Sequence, residues 1–161
     1  MRFLVDGMLG GLARWLRILG YEVRYDAGAK DNDLLTIAGE ENMVLLTRDE
    51  ELCQRAVANK IASALVVGET EEERLAQMAN SFGVRLDTNM AETRCPECGA
   101  SLIEKSKSDI ADEVPEESLK TYDQFWKCSN QSCEKVYWVG SHWKHIRQTL
   151  EEAAKLARLE Q

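Results

Sequence analysis

Apolar positions recur every three or four residues from Met8 to Leu19. Leu9, Leu12, Leu16 and Leu19 form one stripe, Trp15 and Ile18 widen it, and the stretch reads as an amphipathic helix that Gly20 terminates. Residues Arg2 to Asp6 before it and Glu22 to Tyr25 after it are short enough, and apolar enough, to be strands. A second helix takes shape with Leu34, Leu35 and Ala38 and ends near Asn42, and Met43 to Thr47 follows as an apolar strand. A third helix runs from about Glu50 to Asn59, and Ala64 to Val67 makes a fourth strand. Thr70-Glu71-Glu72-Glu73 then has the spacing of a capping box, in which a threonine hydroxyl and a glutamate three residues on satisfy each other's backbone amides. It opens a fourth helix that reaches Phe82, and Val84 to Leu86 is expected to add a last strand. Strands alternating with helices of about three turns, joined by short loops, predict a parallel sheet covered on both faces by right-handed crossovers. Residues 1–90 are thus expected to form a three-layer α/β/α domain.

The periodicity fades between Thr88 and Thr93, and the chain changes character. Cys95-Pro96-Glu97-Cys98 and Cys128-Ser129-Asn130-Gln131-Ser132-Cys133 are two close cysteine pairs separated by an insert of hairpin length. Two such pairs can converge tetrahedrally on one zinc ion, with each pair forming a tight turn and Gly99 supplying backbone freedom after the first. Cys95, Cys98, Cys128 and Cys133 are therefore the candidate ligands of a structural zinc. His142 and His145 are not needed, because four thiolates complete the shell. Between the pairs, Lys105 to Asp123 is polar and acidic, with a short helix starting at Pro115, and Phe125-Trp126 is expected to pack near the metal. From His142 to Leu159 a helical pattern returns, with Ile146, Leu150, Ala153 and Leu156 on one face. Residues 91–161 thus read as a metal-organised unit with a C-terminal helix.

Composition narrows the setting. The chain has 161 residues, of which 44% are hydrophobic, enough for one core of ordinary size plus an appendage held by a metal. No apolar run is long enough to span a bilayer, and Asp6 interrupts the first apolar stretch too early for a signal peptide. A cytoplasmic protein without membrane contact, with reduced thiols, is expected. The remaining cysteine, Cys53, reads as a small buried hydrophobe in the third helix. A net charge of −8 argues against indiscriminate coating of nucleic acid, which requires clustered cations. Local charge then decides the matter.

In a parallel sheet the ligand crevice lies at the carboxyl ends of the strands, and Asp6, Asp31 and Asp49 fall there in this reading. Carboxylates gathered on one rim repel one another unless a cation neutralises them, and hard oxygen donors suit magnesium or manganese. Such a site can activate water against a phosphodiester. Aspartate is also a preferred helix cap, so each of the three has a structural reason to stand where it does. Asp33 competes with Asp31 for its place and Asp26 lies close by, and spacing does not choose among them. Cations flank the acids: Arg14 and Arg17 one turn apart on the first helix, Lys30 beside Asp31, and Arg48 beside Asp49. They can position phosphates or simply solvate a helix face. No serine stands in a nucleophile elbow, and the glycines of Asp6-Gly7-Met8-Leu9-Gly10-Gly11 match neither the dinucleotide fingerprint nor a phosphate-binding loop. They are expected to permit close approach where the first helix starts. Near the carboxyl end Lys135, Lys144, His145 and Arg147 surround Tyr137, Trp138 and Trp143, a mixture suited either to stacking unpaired bases or to packing a small core.

The segment from Phe3 to Tyr21, with Leu45-Leu46-Thr47-Arg48-Asp49, closely resembles the Mut-seven C-terminal ribonuclease-domain family, a branch of the PIN-like nucleases. The likeness continues through Arg94-Cys95 to Cys98, Phe125-Trp126-Lys127-Cys128 and Tyr137-Trp138-Val139-Gly140-Ser141-His142-Trp143. The resemblance implies a PIN-like α/β/α fold fused to a zinc ribbon, and metal-dependent ribonuclease activity on RNA, single-stranded in expectation. It selects Asp6, Asp31 and Asp49 as the acidic set, and it implies that the ribbon is structural, with RNA or protein contacts as an added role. A fourth acid, common among PIN-like nucleases, has no match here. The second knuckle departs from the family's Cys-x-x-Cys-Gly pattern, having two extra residues and Glu134 where the glycine falls. The alternative is a non-catalytic RNA- or ribosome-associated binding module in which the aspartates are only caps.

Overall fold

Why the first strand lies at the centre follows from its residues. Phe3, Leu4 and Val5 of β1 (Arg2–Val5) are all buried, so both faces of the strand are covered, and the strand must be interior to its sheet. The computed structural model, which describes residues 1–160, places β1 between β2 (Glu22–Tyr25) and β3 (Val44–Thr47), with β4 (Ser63–Leu65) outside β3. All pairings are parallel, in the order β2-β1-β3-β4. The chain leaves β1 to one side and returns on the other. The topological switch point, where crossover helices diverge to opposite faces and leave a crevice, therefore lies between β1 and β3.

Helix α1 (Gly10–Ile18) covers one face together with α4 (Glu71–Phe82) and α7 (His142–Leu159), around Phe3, Val5, Leu12, Leu16, Leu75, Met78, Leu150 and Ala153. Helices α2 (Asp31–Glu40) and α3 (Glu50–Ala58) cover the other, around Leu4, Leu34, Leu45 and Leu52. The alternation of Val5 and Leu4 between these two cores is the period of two expected of a strand. The three-layer arrangement read from the sequence is thus present. No helix among the described residues is long and apolar enough to cross a membrane.

Three local expectations are corrected. Val84 to Leu86 is not a strand: Val84 packs into the core, and the Arg85 amide donates to the Tyr21 hydroxyl at 3.1 Å instead of to a ladder. The fourth strand ends at Leu65. The Val66 amide still bonds the Thr47 carbonyl at 2.7 Å, but the Val67 amide turns to the Gln77 side chain at 3.1 Å. The first helix does not run unbroken from Met8. A 3₁₀ turn over Gly7–Leu9 precedes α1, because the Asp6 carboxylate and carbonyl already hold the amides of Gly7 and Leu9. The glycines do permit close approach: a Cβ on Gly7 would lie 2.9 Å from the Ala27 carbonyl oxygen, and one on Gly10 2.9 Å from the Tyr25 hydroxyl. That hydroxyl donates to the Gly7 carbonyl at 2.8 Å.

The C-terminal third carries an antiparallel sheet of β5 (Leu102–Lys105), β6 (Phe125–Cys128) and β7 (Val136–Tyr137). Two short helices, α5 (Lys107–Ile110) and α6 (Glu116–Thr121), lie in the insert between β5 and β6. Ile110, Val114 and Phe125 form a small core of their own, against which Trp138 packs with ring centroids 6.0 Å apart from Phe125. Helix α7 then leaves this sheet and returns to lie along α4.

Candidate functional site

Asp6, Asp31 and Asp49 all stand at the carboxyl edge of the parallel sheet. Asp6 follows the last residue of β1, Asp49 lies two residues beyond β3, and Asp31 is the first residue of α2 after β2. Asp6 and Asp49 thus flank the switch point, and one hydroxyl ties them together. Thr47 Oγ1 donates to Asp6 Oδ2 at 2.8 Å and accepts from the Asp49 amide at 3.0 Å. Thr47 is fully buried, so this bridge is shielded from water. The Asp6 amide adds a third link, donating to the Leu46 carbonyl at 3.0 Å.

Both aspartates also serve as caps. Asp6 Oδ1 accepts from the Gly7 amide at 2.6 Å, and Asp49 Oδ1 accepts from the Leu52 amide at 3.0 Å. Asp49 Oδ2 and both carboxylate oxygens of Asp31 have no hydrogen-bond partner among the described residues. The donors therefore retain capacity for a further ligand, and carboxylate and hydroxyl oxygens are the chemistry a hard divalent cation prefers. The three carboxylates are nevertheless not drawn tightly together. Among the described residues, the group of three or more ligand-type atoms lying within 4.8 Å of one another is the four cysteines. Glu71, on the first turn of α4, is a neighbour of this rim that spacing did not single out: a Cβ on Gly11 would lie 3.6 Å from its Oε1.

The flanking cations divide. Lys30 stands just before Asp31 at the start of α2, exposed and without an ion-pair partner among the described residues. Arg48 braces the loop after β4, donating to the Gly68 carbonyl at 2.7 Å and pairing with Glu69 at 3.1 Å. Arg14 pairs with Glu97 of the first cysteine knuckle at 2.5 Å while its side chain stays 56% exposed. Arg17 is only 5% exposed. Its guanidinium donates to the carbonyls of Val23 at 3.1 Å, Pro96 at 3.1 Å and Glu97 at 3.2 Å. Burial lowers its pKa, while Cys98, Cys95 and Glu97 act in the opposite direction. A guanidinium committed to three carbonyls joins two parts of the fold; it is placed at the cysteine knuckle, not at the acidic rim.

The four sulfurs suit a metal such as zinc. Cys95 and Cys133 Sγ lie 3.8 Å apart and Cys98 and Cys128 Sγ 3.4 Å apart. Both separations are near the edge of a tetrahedron of thiolates around one zinc ion. Amides point at the thiols: that of Asn130 reaches Cys128 Sγ at 3.4 Å, and those of Ala100 and Lys135 serve Cys98 and Cys133. Tyr137 Oη stands 3.1 Å from Cys95 Sγ, with burial and that thiol raising its pKa. Burial pushes the Cys128 thiol up to about 12. At Cys98, burial is outweighed by the Ala100 amide and neighbouring donors, which bring it down to about 7. Such opposed thiols cannot all ionise until a cation compensates them. Gly99 takes the left-handed conformation after the first pair, φ +82°, and Glu134 takes it after the second, φ +53°. The second knuckle keeps the backbone form of the first although glutamate replaces glycine.

Comparison with protein families matches the Mut7-C RNAse domain to residues 1–150. No curated protein and no solved structure matches the chain. With nearly all of its length covered by that one match, the chain belongs to the Mut7-C RNAse domain family, and a ribonuclease-type function with RNA as substrate comes with membership.

Proposed function

We propose that this protein is a divalent-metal-dependent ribonuclease that hydrolyses phosphodiester bonds of single-stranded RNA at the crevice between β1 and β3. The observation that carries the reading is the Thr47 bridge, which fixes the Asp6 carboxylate against the start of α3 at the switch point of a ribonuclease-family domain. Asp6, Asp31 and Asp49 would hold magnesium or manganese. That ion, when bound, supplies an activated water and neutralises charge on the attacked phosphate. The chain's own residues prepare the place. Thr47 and the Gly7 amide orient Asp6, and the Leu52 amide fixes one oxygen of Asp49. Asp31 stands at a helix start, where the backbone dipole favours a carboxylate. Lys30, exposed beside Asp31, puts positive charge where phosphates must approach, and Arg48 braces the neighbouring loop.

In this reading residues 1–90 carry the chemistry and residues 91–161 hold a structural zinc on Cys95, Cys98, Cys128 and Cys133. A cytoplasmic setting agrees with reduced thiols, and the ribbon offers surface for RNA or a protein partner. Asp6→Asn should abolish manganese-dependent cleavage of end-labelled single-stranded RNA by zinc-loaded protein while leaving the fold intact, at a stability lowered by loss of the charge-assisted Thr47 bond. Undiminished cutting by that variant would refute the site.

The capping bonds of Asp6 and Asp49 favour a second reading, a non-catalytic RNA- or ribosome-associated module. Manganese titration separates the two. Saturable stabilisation lost in Asp6→Asn supports the nuclease, and an unchanged melting temperature supports the module.

A further inference from the structure

A cavity of about 270 Å³ lies where α1 meets the ribbon and the first turn of α7. Its walls include Ile18, Leu102 and Ile146 and the rings of Tyr137, His142 and Trp143. Two of those rings have other duties: Tyr137 serves Cys95, and Trp143 Nε1 donates to the Trp138 carbonyl at 3.1 Å. Both are therefore fixed in place before any ligand arrives, which removes an ordering cost from binding. Two polar side chains at the cavity keep groups to offer. Arg14 spends one nitrogen on Glu97, and its remaining N–H groups, with both ring nitrogens of His142, have no hydrogen-bond partner among the described residues. Both side chains are exposed, so the cavity opens to solvent on its polar side.

Flat, rigid, apolar walls with a few unpartnered donors at the mouth are the features by which proteins take single, unstacked nucleobases. The cavity falls just below the size of pockets that take drug-sized ligands, so it suits a single ring system. An aliphatic protein side chain would use the walls and leave Arg14 and His142 unanswered, whereas a base offers a π face to the rings and acceptors to the donors. The cavity is also placed along the right helix. α1 starts immediately after the turn that Asp6 caps, and Arg14 and Ile18 follow Gly10 at successive turns of it. We infer that this cavity is a nucleobase subsite, which takes one unpaired base of the RNA flanking the acidic rim. The inference rests on the ribonuclease reading for its choice of ligand, but its test does not depend on cleavage.

The test uses the full zinc-loaded chain without added divalent metal, following the indole N–H resonance of Trp143 by NMR. Adenosine monophosphate should shift this signal saturably, and ribose 5-phosphate, which lacks the base, should leave it in place. Met90 also lines the cavity, and filling it by Met90→Phe, or by Leu102→Phe should the first variant fold poorly, should weaken nucleotide binding at least tenfold. Three results would overturn the inference: no shift with the nucleotide, an equal shift with ribose 5-phosphate or phenol at the same concentration, or undiminished binding by a folded cavity-filled variant. A chain that binds the nucleotide here yet never cuts RNA with manganese would sink the nuclease reading alone. One that cuts RNA and ignores the base would sink the subsite alone.

Discussion

Thr47→Val removes the hydroxyl that joins Asp6 to Asp49 while keeping the shape of the side chain. Two hydrogen bonds go, one to the Asp6 carboxylate and one from the Asp49 amide. The first is charge-assisted and worth about 2 kcal/mol. The second is ordinary and worth about 1 kcal/mol. Thr47 is fully buried, so no water replaces the lost donor. A cost of about 3 kcal/mol is therefore expected in urea unfolding of the zinc-loaded protein. Thr47→Ser keeps the hydroxyl and loses one buried methyl, which costs about 1 kcal/mol. The valine variant should also cut RNA poorly, since Asp6 is left without a donor on Oδ2, and the serine variant should restore most of the rate. A valine variant as stable as wild type, or a serine variant as damaged as the valine one, would refute the bridge.

Arg17→Met strips a buried cation from three carbonyls. It should cost about 3 kcal/mol, because charge-assisted hydrogen bonds are lost and the carbonyls are left unpaired. Arg17→Lys should recover little, since one ammonium cannot span carbonyls on two segments. Thermal unfolding compared with and without zinc checks both variants. Zinc affinity should fall on acidification. Cys128, pushed up to about 12, and Cys133, also raised, must each release a proton to bind. Competition with a chelator should therefore lose at least about hundredfold per pH unit near neutrality from these two thiols alone. Below about 7 protonation of Cys98 steepens the loss. Thr70→Ala removes the hydroxyl that caps α4, and it should destabilise the protein by about 1 kcal/mol. Its partner Glu73 has a pKa lowered by the amides of Glu69 and Thr70. The glutamate's contribution is therefore present above the unfolded carboxylate value and fades as pH falls through the folded one. Urea unfolding at neutral and mildly acidic pH checks both statements.

The sheet and its covering helices were legible because burial imposes a period. β1 and β3 are apolar nearly throughout since both faces are covered, and α1 and α4 repeat every three to four residues because only one side meets the core. What the period could not convey was which backbone groups would be claimed by side chains. Val84 to Leu86 has strand composition, yet the Arg85 amide went to Tyr21, 64 residues earlier in the chain. Thr47 was visible as the polar end of an apolar strand, two residues before an aspartate. That its hydroxyl reaches Asp6 depends on the β1–β3 pairing, a long-range fact that no local pattern carries. The acidic edge was readable from topology, whereas the spacing of the carboxylates depends on side-chain positions.

Arg17 shows most clearly how the two halves of the molecule constrain each other. On a helical wheel it sits one turn from Arg14 and reads as a second exposed cation, but the ribbon folds over it. The Arg94 amide bonds the Arg17 carbonyl at 2.9 Å, the Thr93 hydroxyl bonds the Ile18 carbonyl at 2.8 Å, and Arg14 and Lys135 both approach Glu97. The end of α1 is thereby capped by the segment that leads into the first cysteine pair. Its side-chain cation answers the carbonyls of the knuckle and lies beside thiols that become anionic when metal binds. Because α1 begins at the turn that Asp6 caps, the acidic rim and the cysteine cluster are attached to the two ends of one nine-residue helix. Loss of metal from the cysteines would therefore loosen the end of α1 first, and a short helix stabilised mainly by its tertiary contacts cannot confine that loosening to its far end.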